Sequence, residues 1–93
     1  MKIYQSHSFA KKVRKFNQKE KTELDNEIKK IAQDPSIGIE KKGDLKGIYV
    51  HKFRIKGTQH LISYRFLNDD LELIMIGVHE NYYRNLKSYL KHK

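Results

Sequence analysis

The chain has 93 residues, with 20 lysines and arginines against 11 acids and a formal net charge of +9. It has no cysteine, which excludes disulfides, thiolate metal sites and cysteine nucleophiles. Its length and its periodic apolar clusters predict a small single α+β domain over residues 1–93, and its charge points to a polyanion (nucleic acid, an acidic protein or anionic lipid) rather than to a merely basic protein.

The N-terminal stretch MKIYQSHSFAKK lacks the apolar core of a signal peptide. No apolar run approaches the roughly 20 residues that span a bilayer, so a soluble, cytoplasmic protein with no membrane partner is expected. Residues 2–6 alternate and predict a short strand. Phe9, Val13 and Phe16 then share one face of a helix over 7–18, with Lys11, Lys12, Arg14 and Lys15 mostly off that face. Leu24, Ile28, Ile31 and Ala32 predict a second helix over 20–33, and the two read as an αα-hairpin. Asp34-Pro35 ends it, because proline disfavours helix in the residue before it. Residues 35–47 hold three glycines and read as loop.

The period then becomes two. Over 48–56, Tyr49, His51, Phe53 and Ile55 fall on one side, and Ile48, Val50, Lys52, Arg54 and Lys56 on the other. Gly57-Thr58 reads as a hairpin turn. Over 60–67, Ile62, Tyr64 and Phe66 oppose Leu61, Ser63, Arg65 and Leu67. A second turn at 68–70 leads to 71–78, an apolar run expected as a central strand buried on both faces. A final helix places Tyr82, Leu86 and Tyr89 on one stripe. The predicted order is β-α-α-β-β-β-α: an antiparallel meander with the two early helices on one face and a C-terminal helix.

Alternation has a consequence for charge. If Phe53 and Ile55 pack under the helices, Lys52, Arg54 and Lys56 project from the opposite face, and Arg65 on the next strand joins them. Such a row is either solvated surface or an anion-binding floor. Cations on two adjacent strands with no acid beside them favour the floor. His79 follows the third meander strand directly and shares a side with Met75 and Gly77; Gly77 is expected to leave room for a ligand or backbone to approach closely. A histidine there either caps the junction or transfers protons near neutral pH.

The hairpin LKGIYVHKFRI…HLISYRF and the ending GVHENYYRNL resemble the RelE/ParE superfamily of bacterial type II toxins. The resemblance covers nearly the whole chain and is strongest from Leu45 to Leu90. It implies one of two activities on one fold: metal-independent endoribonuclease action on mRNA at the ribosome, inhibiting translation, or ParE-like inhibition of DNA gyrase without cutting. Both imply neutralisation by a cognate acidic antitoxin. Lys52 and Arg54 stand where the ribonucleases carry basic residues on the second strand. His79 stands where they carry an arginine or histidine after the glycine, and Tyr83 matches an aromatic four residues on. The family's arginine on the next strand is replaced by Leu61, with His60 or Arg65 the nearby substitutes.

The catalytic set implied is therefore His79 as general acid or base, Arg54, Lys52 and Arg65 on the phosphate, and Tyr83 stacking on a base. For Tyr82 and Tyr83, packing of the last helix is the alternative, and Tyr82 is assigned to the core. Lys56, Arg84, Lys11, Lys12 and Lys15 are candidate RNA contacts, the helix lysines otherwise forming a solvated face. No carboxylate cluster or histidine pair has metal-binding spacing, so no metal and no cofactor is expected. A simple RNA-binding module is the third reading.

Overall fold

The computed structural model describes residues 1–78 and 82–91. In chain order it contains β1 (Ile3–Gln5), α1 (His7–Val13), α2 (Gln18–Gln33), β2 (Ile39–Glu40), β3 (Tyr49–Ile55), β4 (Thr58–Leu67), β5 (Asp70–Val78) and α3 (Tyr82–Lys91). The expected order is present, with the two-residue β2 added inside the loop-rich section.

Local chemistry sets the helix boundaries. Ser6 caps α1, its Oγ accepting from Phe9 N at 3.0 Å. The helix read over 7–18 stops earlier, at Val13, and α2 starts earlier, at Gln18. Asn17 is the reason: its Oδ1 accepts from Glu20 N while Glu20 Oε1 accepts from Asn17 N, both at 2.8 Å. This reciprocal cap holds Asn17 in extended backbone and so separates the helices.

The sheet order is β1-β5-β4-β3-β2. β3, β4 and β5 form the antiparallel meander, and β1 adds in parallel to the outer edge of β5. The first hairpin turn is Lys56-Gly57, one residue earlier than read, with φ of 50° and 80°. The second is Asn68-Asp69, with φ of 53° and 67°. Two central residues at positive φ match the right-handed twist of the flanking strands.

Both sheet faces are covered. Phe9, Leu24 and Ile31 of the helical hairpin bury Phe53, Ile55, Ile62, Tyr64, Leu71, Leu73 and Ile76. On the other side α3 lays Tyr82 and Leu86 over Leu45, Ile48, Val50, Leu61, Ile74 and Met75. A β-bulge joins the two cores. Ser63 pairs with Met75 but Tyr64 with Leu73, leaving Ile74 as an extra residue. Ile74 and Met75 therefore both reach the α3 side, while Leu73 and Ile76 reach the hairpin side. This double burial explains the continuous apolar run of β5.

Candidate functional site

The α3 face was expected to be an open cationic floor. Its middle is instead a core, because α3 has an apolar stripe to bury and the hairpin already occupies the other face. Cations remain only at its margins. Along β3, Val50 is buried under α3, while Lys52 and Arg54 beyond it are exposed. Lys52 pairs with Leu61, which pairs with Gly77, so the three form one row across three strands. At roughly 4.8 Å per strand, Lys52 and Gly77 stand about 10 Å apart at Cα. A lysine stem covers much of that span.

Arg54 is directed by the hairpin: its Nη1 donates to Gly57 O at 2.9 Å. Lys56 sits exposed at the turn tip. Arg65 does not join this group. It lies at the other end of β4, opposite Glu72, and its Nε donates to Glu72 Oε1 at 2.6 Å. Gln59, the partner of Arg54, lies six residue steps back along β4, which is about 20 Å. The acid-free row is thus corrected twice: Glu72 is an acid on that face, and it already holds Arg65.

Gly77 leaves no vacancy for a ligand. A Cβ there would stand 3.3 Å from Tyr82 Cδ2, so the tyrosine ring fills the space the glycine opens. Tyr82 is a core residue, as read, and its hydroxyl lies 2.9 Å from both Ser63 Oγ and Met75 O. Burial pushes that hydroxyl well above the ordinary phenol range. It is a structural tie between α3 and the sheet, not an acid or base. Tyr83 is half-buried, edge-on to Tyr82, with Lys41 Nζ 4.8 Å from its ring centroid. One face of the ring is thereby covered by a cation that any stacking base must displace.

His79 lies outside the described residues. The other histidines near the row belong to the hairpin side. His60 Nδ1 is 3.0 Å from Thr58 O, and its ring packs against Phe16 and Phe53. His51 Nε2 is 2.8 Å from Glu27 Oε1. Neither is positioned to replace the arginine that Leu61 lacks. Leu61 itself is completely buried.

On the far side of Gly77, α1 supplies one candidate. Lys12 lines a cleft of about 340 Å³ with Ser8, Met75, Ile76, Gly77, Val78, Tyr82 and Asn85. Lys11 and Lys15 are exposed elsewhere on and just after α1, and Arg84 is exposed on α3. Among the described residues, no three His, Asp or Glu side chains converge as a metal-binding group.

A family model described as the ParE-like toxin of type II bacterial toxin–antitoxin systems matches residues 3–87. The chain belongs to this toxin family. No curated protein sequence matches it. Among solved structures, the toxin resembles the intact E. coli RelBE toxin–antitoxin complex at TM-score 0.68 and 18% identity, over 85% of this chain and 96% of that one. A YoeB/ParE toxin from Agrobacterium tumefaciens gives 0.66 and 22%, over 85% and 99%. A mutant of the E. coli toxin RelE in the free state gives 0.72 and 16%, over 98% and 95%. At these identities the likeness is one of fold.

Three residues around the candidate site escaped the sequence reading: Lys41, Ser8 and Asn85. Lys41 meets Tyr83 only because β2 brings its loop back beside α3. Ser8 and Asn85 line one cleft at the end of β5, from helices remote in sequence. No spacing pattern within a single element could have shown either.

Proposed function

We propose that this toxin is a metal-independent endoribonuclease that cuts mRNA at the ribosome and so inhibits translation. The observation that carries this reading is exposed Lys52 on the row that leads through Leu61 to Gly77, with exposed Arg54 two residues further along the same face of β3. The chain passes into His79 one peptide beyond Val78, the partner of His60.

The chemistry needs three roles. A base takes the 2′-hydroxyl proton, cations hold the charge that develops on the phosphate, and an acid protonates the leaving 5′-oxygen. His79 serves as acid or base. Lys52 and Arg54 serve the phosphate, and Arg65 is withdrawn from that role because Glu72 holds it. Tyr83 stacks on a flanking base once Lys41 moves aside. Arg84, Lys56 and Lys12, with Lys11 and Lys15, contact flanking phosphates. The site works in the cytoplasm and is silenced by a cognate acidic antitoxin that folds against the basic domain.

A second reading is DNA gyrase inhibition without cutting. Its support is the buried Leu61 in place of the family's arginine. Mapping mRNA 5′ ends after induction, beside a supercoiling assay, separates the two. Codon-phased cuts that fall roughly 100-fold or more in His79→Ala and in Arg54→Ala support the nuclease. Gyrase inhibition with intact mRNA supports the second reading, and neither effect leaves an RNA-binding module.

A further inference from the structure

Two clefts flank the loop between β2 and β3. One, of about 300 Å³, is lined by Glu40, Lys41, Lys42, Gly43 and Lys46. The other, of about 410 Å³, is lined by Asp44, Leu45, Lys87, Leu90 and Lys91. One loop walls both clefts. Lys41, Lys42 and Lys46 from the loop and Lys87 and Lys91 from α3 therefore make a single basic surface.

The loop is built rather than slack. Leu45 is buried in the α3 core. Lys41 N donates to Ile48 O at 2.8 Å, and Lys46 N donates to Gly43 O at 3.1 Å. Glu40 is committed to the same purpose: Gly47 N donates to its Oε2 at 3.2 Å, and the Tyr49 hydroxyl lies 3.5 Å from its Oε1. Against the five lysines, Glu40 and Asp44 line the same clefts as two acids, which leaves the surface net basic by three charges. Among the described residues, none of these lysines is in an ion pair.

A fold that holds like charges together on a pinned loop sustains repulsion that a polyanion relieves. Because the loop is already ordered, little entropy is lost when one binds. The five lysines offer point charges rather than the forks of bidentate recognition. Such a surface meets phosphates without reading bases.

We propose that the β2–β3 loop and the C-terminal half of α3 form a sequence-independent phosphate-backbone contact for RNA, separate from Lys52 and Arg54. The proposal rests on the reading above only for its RNA partner, not for cutting. The test uses fluorescence anisotropy with a labelled 2′-O-methyl RNA of about 20 nucleotides, which lacks the attacking hydroxyl, across a salt series. One variant changes Lys42, Lys46, Lys87 and Lys91 to Gln. A control of equal net charge changes Lys2, Lys19, Lys21 and Lys29 to Gln, on the strand edge and helical hairpin. Lys41 is retained because it touches Tyr83.

The expected result is a fall of about 3 in the slope of log affinity against log salt for the surface variant, at ~0.7 per lost phosphate contact. Its affinity at 0.1 M salt falls roughly tenfold or more, while the control slope changes by less than ~1. Equal losses in both variants, indicating bulk charge alone, would overturn the proposal. So would an unchanged surface variant, or one that loses a polyglutamate peptide while keeping the RNA. Thermal unfolding midpoints confirm that both variants are folded. If the wild type cuts no mRNA but this binding pattern holds, the nuclease reading fails and the surface stands.

Discussion

Tyr82 ties α3 to the sheet through one buried hydroxyl. It lies 2.9 Å from Ser63 Oγ and from Met75 O, and Ser63 is fully buried. In Tyr82→Phe the serine retains only its 3.4 Å contact to Met75 O. An under-satisfied buried hydroxyl costs about 1–3 kcal/mol, whereas removing both partners of a buried pair is close to neutral. Urea denaturation should therefore show Tyr82→Phe destabilised by about 1–3 kcal/mol, and Ser63→Ala added to it should recover part of that loss. Equal instability in the single and double variants would mean that the hydroxyl network is not what anchors α3. Spacing to Leu86 was enough to assign Tyr82 to the core. It could not reveal the hydroxyl's partners, because Ser63 and Met75 face Tyr82 only after β4 and β5 pair around the bulge.

Among the elements, the β3–β4 hairpin separates stability from function. Its turn places Lys56 at φ 50° and Gly57 at φ 80°. Asparagine tolerates positive φ better than lysine, and Asn-Gly is the preferred pair for this turn. Lys56→Asn should raise stability by several tenths of a kcal/mol, within the ~1 kcal/mol span of such turn effects, while weakening RNA binding if Lys56 meets phosphate. Chemical denaturation and anisotropy on the same sample read the two effects. The hairpin was legible because alternation on both sides of Gly57 was regular, although the turn lay one residue earlier than read. The short β2 was not legible. Its two residues carry no period, and Ile39 is among the exposed apolar residues. The cover of the second face was missed for a different reason. Alternation tells which residues share a side, but not which helix will lie on it.

At the scale of the molecule, one polar clasp spans two layers. Glu27 on α2 meets His51 on β3 at 2.8 Å and Lys30 at 3.0 Å. Burial raises the Glu27 carboxyl, but the hydrogen bonds and charges of His51 and Lys30 outweigh it and leave it below its ordinary 4.5. A carboxylate depressed in the folded state stabilises the fold above its unfolded value and loses that contribution as pH falls through its folded value. Stability measured by denaturation should thus decline below about pH 4.5, and Glu27→Gln should flatten that part of the profile. An unaltered acid limb in the variant would show that other carboxylates carry it. The order of elements, the toxin family and the exposure of Lys52 and Arg54 on one face of β3 could all be read from the chain. The ion pair that removes Arg65, and the loop that brings Lys41 to Tyr83, required the folded molecule, because each joins residues that no local pattern relates.

The extra residue in β5 acts as a frame setter for everything after it. Upstream of Ile74, odd-numbered side chains look toward the helical hairpin; downstream, even-numbered ones do. Counting from either end alone would send the tail to the wrong surface. The closing helix therefore reaches its berth by an offset of one residue, and a lineage that lost that residue would have to rebuild the exit of the strand before α3 could dock again.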